Sequence, residues 1–186
     1  MPRIAVLVGS LRKDSFTRKV ARALEPYINH QGPDYTFDHV VIDKVGFYNQ
    51  DLDNDSPPAE WTALREDLKK ADAYLFCTPE YNRSVPGVLK NAIDVASRPY
   101  GKSAFAGNKP GAVVSVSPGA IGGFGANHHL RQTLTFLDIA ILQQPEMYVN
   151  NAAKIIDDQF KVTDDNVKKL FESFGKAFNA WLKKHS

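Results

Sequence analysis

The sequence predicts an α/β fold in which helices cover both faces of a parallel sheet. Short apolar runs, too continuous to be half-exposed strands, alternate along the chain with longer amphipathic stretches. A parallel sheet requires this alternation, because each pair of neighbouring strands is joined by a crossover helix. The chain has 186 residues, of which 43% are hydrophobic, and contains no linker-like segment. We therefore expect residues 1–186 to form a single domain.

Five strands and five helices are predicted in strict alternation. The apolar runs place the strands at residues 4–8, 37–42, 73–77, 112–116 and 139–149, the last interrupted by Pro145. Apolar residues at helical spacing place the helices around residues 16–27, 61–68, 89–96, 130–137 and 167–182. These elements suit the flavodoxin-like doubly wound order 2-1-3-4-5, which we predict for the five-stranded parallel sheet. The polar segment at residues 49–58 is expected to form a surface loop.

Composition argues against several classes of function. The 23 basic residues exceed the 21 acidic ones by only two, too few for a dedicated nucleic-acid binder. No run approaches the roughly 18 apolar residues of a membrane span, and the amino terminus lacks the pattern of a signal peptide. The single cysteine, Cys77, cannot form an internal disulfide and has no basic neighbour in sequence. We expect a cytoplasmic protein with an inert thiol and neither nucleic-acid nor membrane partners.

The loop after the first strand predicts an anion-binding site. It carries the hydroxyls of Ser10, Ser15 and Thr17, together with Arg12, just before and into the start of a helix. In open α/β sheets ligands bind beyond the carboxyl ends of the strands, where a helix start offers free N–H groups and a positive dipole. The alternative is that Ser15 or Asp14 only caps the helix. The residue pattern alone leaves both interpretations open.

Other motifs in the sequence do not support a different chemistry. The first loop contains Gly9 but no Gly-x-Gly-x-x-Gly, which disfavours a dinucleotide site. Residues 101–103 look like the end of a phosphate-binding loop, but they follow a predicted helix rather than a strand. Residues 115–119 lack the first glycine of a nucleophile elbow. His128 and His129 are adjacent, so on a helix they cannot chelate one metal ion together, and we expect no metal site.

Runs after the first, third and fourth predicted strands resemble those of the NADPH-dependent FMN reductase family of flavodoxin-like proteins. Within that family the resemblance is to the soluble chromate, quinone and azo-dye reductases. It rests on residues 9–13 with Ser15, residues 79–82, 84–87 and 89–94, and residues 129–132. These runs occur in the family's order and spacing, one after each expected strand. The resemblance covers residues 3–148 of the chain.

The resemblance implies bound FMN, with NADPH or NADH as co-substrate. The FMN-binding residues it implies are Ser10, Arg12, Ser15, Phe16 and Thr17 around the phosphate, Pro79, Glu80, Tyr81, Asn82 and Ser84 along the ring, and Ser117, Gly119 and Ala120 in the third loop. The flavin performs the chemistry, so no catalytic acid or nucleophile is needed from the chain. The implied acceptors are quinones, azo compounds, chromate or free flavins.

Two other functions remain open at this point. A flavodoxin-like protein could carry FMN as an electron shuttle or signalling partner without oxidising a nicotinamide. The sequence pI of 8.6 argues against this, because shuttle flavodoxins tend to be acidic. The first loop could also hold another phosphate without any flavin.

Several residues near these loops carry competing interpretations. We expect the Glu80 side chain to be solvated and its backbone to contact the ring, and we expect Tyr81 to bind the ring rather than pack. Arg83 and Arg131 are candidates for gripping NAD(P)H or supporting a subunit interface, although surface arginines often do neither. Phe124 could line the substrate slot or anchor its loop on the core.

The resemblance also implies a homodimer or homotetramer with flavin sites between subunits. The helices that begin near Pro86 and Gly122 would form the subunit contact. Val95 stands where tryptophan is common in the family, so this contact has a smaller side chain here. Thr17 stands where the family often has asparagine, and it keeps a hydrogen-bond donor.

Overall fold

The computed structural model describes residues 1–30 and 32–185, and this part of the chain contains one parallel sheet. The strands are β1 (Arg3–Val8), β2 (Thr36–His39), β3 (Ala73–Pro79), β4 (Pro110–Ser117), β5 (Ala140–Ile141) and β6 (Met147–Asn150). Their order across the sheet is β2-β1-β3-β4-β5, and β6 also pairs with β4. The predicted flavodoxin-like order is confirmed.

Helices pack on both faces of the sheet. They are α1 (Phe16–His30), α2 (Ala59–Lys69), α3 (Gly87–Ala96), α4 (Phe124–Phe136), the short α5 (Ala152–Ile155) and α6 (Asp165–Lys184), with a 3-10 turn at Gln50–Leu52. Ile4 and Val6 face a core built with α1 and α6, whereas Ala5 and Leu7 face a core built with α2, α3 and α4. No helix within the two described ranges is long and apolar enough to cross a membrane.

The prediction of one fifth strand is wrong, because the structure has two short strands in its place. Residues 139–149 form two short strands, β5 and β6, each paired in parallel with a different part of β4. Pro145, which lies between them, has no N–H to donate to a ladder, so the chain leaves the sheet before pairing again. The second strand is also shorter than predicted and ends at His39 rather than residue 42.

The segment at residues 49–58 is a largely exposed loop, as predicted, but a buried ion pair anchors it. The Asp53 side chain is 2% exposed and accepts two hydrogen bonds from the Arg65 guanidinium, at 2.8 and 2.9 Å. Arg65 Nε donates to the Val95 carbonyl at 2.9 Å. The pair therefore ties this loop to α2 and α3.

Cys77 is fully buried in β3. Burial raises the pKa of its thiol, with a smaller contribution from the Glu25 carboxylate, so the thiol stays protonated at neutral pH. This environment agrees with the expectation of an inert cysteine.

Candidate cofactor site

Three loops meet at the carboxyl edge of the sheet, because the strands that they follow are neighbours. We call them the first loop (residues 9–17, after β1), the second loop (residues 80–86, after β3) and the third loop (residues 117–123, after β4). A Cβ on Gly9 would lie 3.2 Å from Pro79 Cδ and 3.0 Å from Leu89 Cδ2. A Cβ on Gly123 would lie 3.6 Å from Glu80 Cβ. Glycine at residue 9 thus lets the first loop lie closely against the end of β3 and the start of α3, and residue 123 brings the third loop into ordinary contact with Glu80.

The first loop presents backbone N–H groups without acceptors. Among the described residues, the N–H groups of residues 10–17 donate to no other atom, whereas Gly9 N–H donates to the Cys77 carbonyl at 2.8 Å. The hydroxyls of Ser10 and Thr17 also have no protein partner, although both residues are at least 96% buried. Residues 11–14 are exposed, and the convergence of these free N–H groups and hydroxyls at the start of a helix suits an anionic ligand.

Ser15 has the capping role that the sequence left open, and this role does not exclude contact with an anion. Its Oγ accepts a hydrogen bond from Arg18 N–H at 3.2 Å, and its carbonyl accepts one from Lys19 N–H at 3.0 Å. Ser15 is therefore the N-cap of α1. Its hydroxyl proton is not used in that contact and remains available to an anion.

Two arginines flank the first loop, and sequence reasoning identified only one of them. The Arg12 guanidinium is exposed and lies 5.4 Å from the centre of the Phe16 ring, within reach of the loop. Arg18 was missed. Its guanidinium donates to the carbonyls of Ser10, Arg12 and Lys13 at 3.2 to 3.4 Å.

The second loop is a tight hairpin turn bonded to itself. The N–H of Tyr81 donates to the Ser84 carbonyl at 3.1 Å, and the N–H of Ser84 donates to the Tyr81 carbonyl at 3.0 Å. Asn82 and Arg83 have φ values of 51° and 63°, as a type I′ turn requires. Their own N–H groups have no acceptor in the described part of the chain, and the Tyr81 side chain is exposed. This rigid turn offers outward-facing polar groups to a ligand edge.

The Glu80 carboxylate is not solvated, so that part of the prediction is wrong. Its side chain is 9% exposed, and Oε2 accepts a hydrogen bond from Ala126 N–H at 3.0 Å. Glu80 therefore caps α4 from another loop, where the helix dipole favours a negative charge. A Cβ on Gly125 would lie 3.0 Å from this oxygen and 2.7 Å from the Arg83 carbonyl. Glycine at residue 125 is what leaves room for the cap.

Histidine and asparagine side chains hold the second loop and its helix in place. Ser84 Oγ lies 3.0 Å from His129 Nδ1 of α4. Asn91 of α3 is buried, accepts a hydrogen bond from Tyr48 N–H at 2.9 Å, and donates to the carbonyls of Val45 and Gly46. The role of Asn91 was missed, although it belongs to a run that carried the family resemblance.

The third loop is exposed at residues 118–121 and anchored at both ends. Ser117 Oγ accepts a hydrogen bond from Gly119 N–H at 3.1 Å, and the Ala120 carbonyl accepts one from the Asn150 amide at 3.1 Å. The Ser115 hydroxyl donates to the Gly122 carbonyl at 2.8 Å. The predicted ligand residues of this loop therefore lie beside the second loop with their backbone fixed.

Phe124 packs against neighbouring rings at the rim rather than in either core. Its ring centre lies 4.3 Å from that of His128 and 5.6 Å from that of Tyr148, and half of the side chain is exposed. The Tyr148 hydroxyl donates to Glu146 at 2.5 Å and lies 2.9 Å from His128 Nε2. Burial and the nearby Glu146 carboxylate raise the pKa of Tyr148 to about 12, and the smaller effect of Arg131 lowers it.

The two further arginine candidates have different surroundings. Arg131 is half-buried and donates to Asn127 Oδ1 at 2.8 Å and to the Leu142 carbonyl at 2.9 Å, so its guanidinium is engaged within the fold. Burial lowers the pKa of Arg131, an effect opposed by the Glu146 and Tyr148 side chains. Arg83 is exposed and lies 3.5 Å from Glu80 Oε1. Of the two, only Arg83 is free to reach a ligand.

Taken together, these donors fit a phosphate monoester carrying a flat heterocycle. A phosphate needs several convergent donors and positive charge, which the first loop and its arginines supply. A ring with donors and acceptors along one edge needs a rigid backbone beside it, which the second loop supplies. The arrangement therefore suits FMN.

Comparisons with known proteins agree along nearly the whole chain. The family model described as NADPH-dependent FMN reductase matches residues 2–154. A quinone reductase of Pseudomonas putida is 52% identical over 97% of this chain and 94% of that protein. A 2-hydroxy-1,4-benzoquinone reductase of a Burkholderia species is 43% identical over 97% of this chain and 96% of that protein. Among solved structures, the flavoenzyme FerB, an NAD(P)H:(acceptor) oxidoreductase from Paracoccus denitrificans, superposes with a TM-score of 0.91 at 37% identity, covering 100% of this chain and 99% of that one.

Proposed function

The chain belongs to the family of NADPH-dependent FMN reductases, and on this premise we propose that its three loops together hold one FMN. The protein is an FMN-dependent NAD(P)H oxidoreductase that reduces quinones. When bound, FMN supplies the hydride chemistry that links NAD(P)H to the acceptor. The chain's own residues bind the phosphate, orient the ring and leave one face open to the two substrates.

The first loop carries the phosphate assignment. Its unpaired N–H groups at residues 10–17 and the hydroxyls of Ser10, Ser15 and Thr17 supply neutral donors, and Arg12 adds a charged one. These donors lie at the start of α1, where the dipole favours an anion. The observation that supports the proposal most strongly is this convergence of N–H groups and hydroxyls without protein acceptors at the start of α1.

The second and third loops are proposed as the ring platform. The ring would lie along Pro79, Glu80, Tyr81, Asn82 and Ser84, with Ser117, Gly119 and Ala120 beside it. The hairpin bonds of the second loop and the cap from Glu80 to α4 keep this backbone rigid, so that it loses little freedom on binding. In this proposal the Glu80 carboxylate contributes by capping α4, and the backbone of the second loop contacts the ring.

Spectroscopic titration and turnover test the proposal. Apoprotein should bind FMN more tightly than riboflavin, because only FMN carries the phosphate. Anaerobic NADPH should bleach the bound flavin, and a benzoquinone should restore its colour. A protein that shows no preference for FMN would refute the phosphate assignment, and one whose flavin stays oxidised would refute reduction by the nicotinamide. Steady-state quinone-dependent oxidation of NAD(P)H separates a reductase from an electron shuttle.

The acceptor range is proposed to extend beyond quinones. Azo compounds, chromate and free flavins would react at the same open face, because the third loop beside it is exposed at residues 118–121. Comparing rates for a quinone, an azo dye and chromate at matched concentrations tests this range. A protein that reduces only quinones would restrict the proposal to that class.

We also propose that α3 and α4 pair two subunits into a homodimer, or two such pairs into a homotetramer. These helices border a groove of about 610 Å³ that includes Lys90, Asp94, Arg98 and Phe136. The Phe136 side chain is 78% exposed, which is unusual for so large an apolar group. Light scattering after size-exclusion chromatography should give the mass of two or four chains. Phe136→Glu should lower that mass to one chain.

The remaining expectations concern domain organisation and compartment. One domain over residues 1–186 should unfold in a single cooperative transition, and two separate transitions would contradict it. A cytoplasmic location is supported by the single buried cysteine. Cell fractionation with an antibody against the chain tests that location.

A further inference from the structure

Arg18 contacts the first loop in a way that its neighbours on α1 do not. Its guanidinium donates to three carbonyls of the loop, from Nη1 to Arg12 O at 3.2 Å and Lys13 O at 3.4 Å, and from Nη2 to Ser10 O at 3.4 Å. Lys19 and Arg22 instead pair with the carboxylates of Asp158 and Glu25. The planar guanidinium, with five donors in a fixed arrangement, is the side chain best able to hold several carbonyls at once.

These contacts fix the direction in which the loop's amides point. In a trans peptide the C=O of one residue and the N–H of the next point in opposite directions. The peptide bonds of the loop are trans, so the carbonyls held by Arg18 turn the N–H groups of Leu11, Lys13 and Asp14 toward the opposite side. These are three of the N–H groups that have no acceptor in residues 1–30 and 32–185.

We propose that Arg18 is a positioning residue that holds the first loop in its phosphate-binding conformation. This proposal rests on the proposed function, since it assumes that the phosphate of FMN binds the first loop. Without Arg18 the three carbonyls are free to rotate toward the ligand, where their partial negative charge would repel a phosphate. Arg18 therefore determines the preference for FMN over riboflavin without touching the ring.

Flavin titration of apoprotein separates this role from a general contribution to folding. Arg18→Met removes the donors and keeps an unbranched apolar stem, and Arg22→Met is the matched control one turn along the same helix. We expect Arg18→Met to weaken FMN binding by about tenfold or more and to change riboflavin binding by less than about twofold. Arg22→Met should change neither. Equal weakening of both flavins, or unchanged FMN binding, would overturn the proposal.

The same titration distinguishes failure of this proposal from failure of the proposed function. If the wild-type protein shows no preference for FMN over riboflavin, the phosphate assignment itself fails. If the wild type shows the preference and Arg18→Met retains it, only the role of Arg18 fails. Arg18→Lys provides a second variant in case Arg18→Met does not fold. Because one ammonium cannot hold three carbonyls in a plane, Arg18→Lys should also lose FMN affinity, and full retention would contradict the proposal.

Amide NMR gives a readout that a purely structural role would not change. In the wild-type protein, FMN should shift the amide protons of Leu11, Lys13 and Asp14 downfield as they bond to the phosphate. In Arg18→Met saturated with FMN, these three shifts should be smaller, while the amide shifts of Asn82 and Arg83 remain. Identical shifts of the first loop in both proteins would refute a positioning role.

Discussion

The backbone of the first loop keeps its N–H groups free, whereas the backbone of the second loop is bonded to itself. Residues 10–17 donate to no acceptor in the described structure, while Tyr81 and Ser84 close two mutual hydrogen bonds. The second loop is further fixed by Glu80 on α4 and by His129 on Ser84. On the proposed function, FMN would supply the acceptors that the first loop lacks, whereas the second loop is already bonded without a ligand. Substitutions in the first should change affinity, and substitutions in the second should change stability.

Thr17→Val should give the largest effect, a loss of FMN affinity without a loss of stability. The substitution keeps the buried shape and removes a hydroxyl that has no protein partner. A hydrogen bond to a charged group is worth about 1.5–3 kcal/mol, so FMN should bind about 10–100-fold more weakly. Fluorescence titration measures the affinity, and urea unfolding of the apoprotein should show no loss of stability. Thr62→Val, an exposed position on α2, is the control. If Thr17→Val instead destabilised the apoprotein and left the affinity for FMN unchanged, the first loop would behave as we expect of the second.

Gly125→Ala tests the second loop and should mainly lower stability. In an open helix position alanine stabilises by up to about 1 kcal/mol relative to glycine. Here the new Cβ would lie 2.7 Å from the Arg83 carbonyl and 3.0 Å from Glu80 Oε2, so overpacking and loss of the cap should dominate. We expect a net loss of about 1–2 kcal/mol in urea unfolding.

Gly87→Ala is the matched control for this prediction. Gly87 begins α3, and a Cβ there would meet nothing within 4 Å. This variant should be as stable as the wild type or slightly more so. If Gly125→Ala is equally harmless, the cap from Glu80 does not constrain the second loop.

Arg83→Gly should raise stability by a smaller amount. Arg83 has a φ of 63°, a left-handed conformation that strains a residue with a side chain. Glycine removes that strain, and the exposed contact with Glu80 contributes little, so we expect a gain of up to about 1 kcal/mol. The midpoint of urea unfolding measures it. Asn82→Gly should gain less, because asparagine tolerates this conformation. A loss of stability in Arg83→Gly would show that the arginine contact matters more than the strain.

The smallest expected effect is on the pH dependence of stability, and it involves Tyr148, which contacts the start of α4. The pKa of Tyr148 is raised from its ordinary value of 10.0 to about 12, chiefly by burial, so folding favours the neutral phenol. This contribution is fully present below pH 10 and is lost as the pH rises toward about 12. The wild type should therefore lose more stability than Tyr148→Phe between about pH 10 and pH 12. Tyr100→Phe, at an exposed position, should follow the wild type. If the stabilities of the wild type and Tyr148→Phe change in parallel with pH, the neutral phenol of Tyr148 does not stabilise the start of α4.

The sequence predicts the sheet order well, because it depends on local patterns. Buried strands appear as apolar runs, and the hydroxyls with an arginine after β1 predict an anion site from residues that are close together in sequence. Pro145 marked the weak point of the fifth strand, but the pairing of β6 depends on β4 being long enough to hold two partners.

The contacts that sequence reasoning missed join distant residues or involve the backbone. Glu80 lies 46 residues from Ala126, and Asn91 holds the carbonyls of Val45 and Gly46. Arg18 is close in sequence to its partners, but those partners are carbonyls, which every residue possesses. Only the placement of Gly125 next to a predicted helix start hinted that another group approaches there.

The broken fifth strand also affects how the protein behaves when crowded. The outer strands of a sheet expose unpaired N–H and C=O groups that invite another chain to add a strand. Here one edge of the sheet is formed by β5 and β6, which have two and four residues, and the opposite edge is formed by β2, which has four residues. Neither side gives an incoming strand a long ladder, so concentrated protein should resist lateral aggregation into extended sheets.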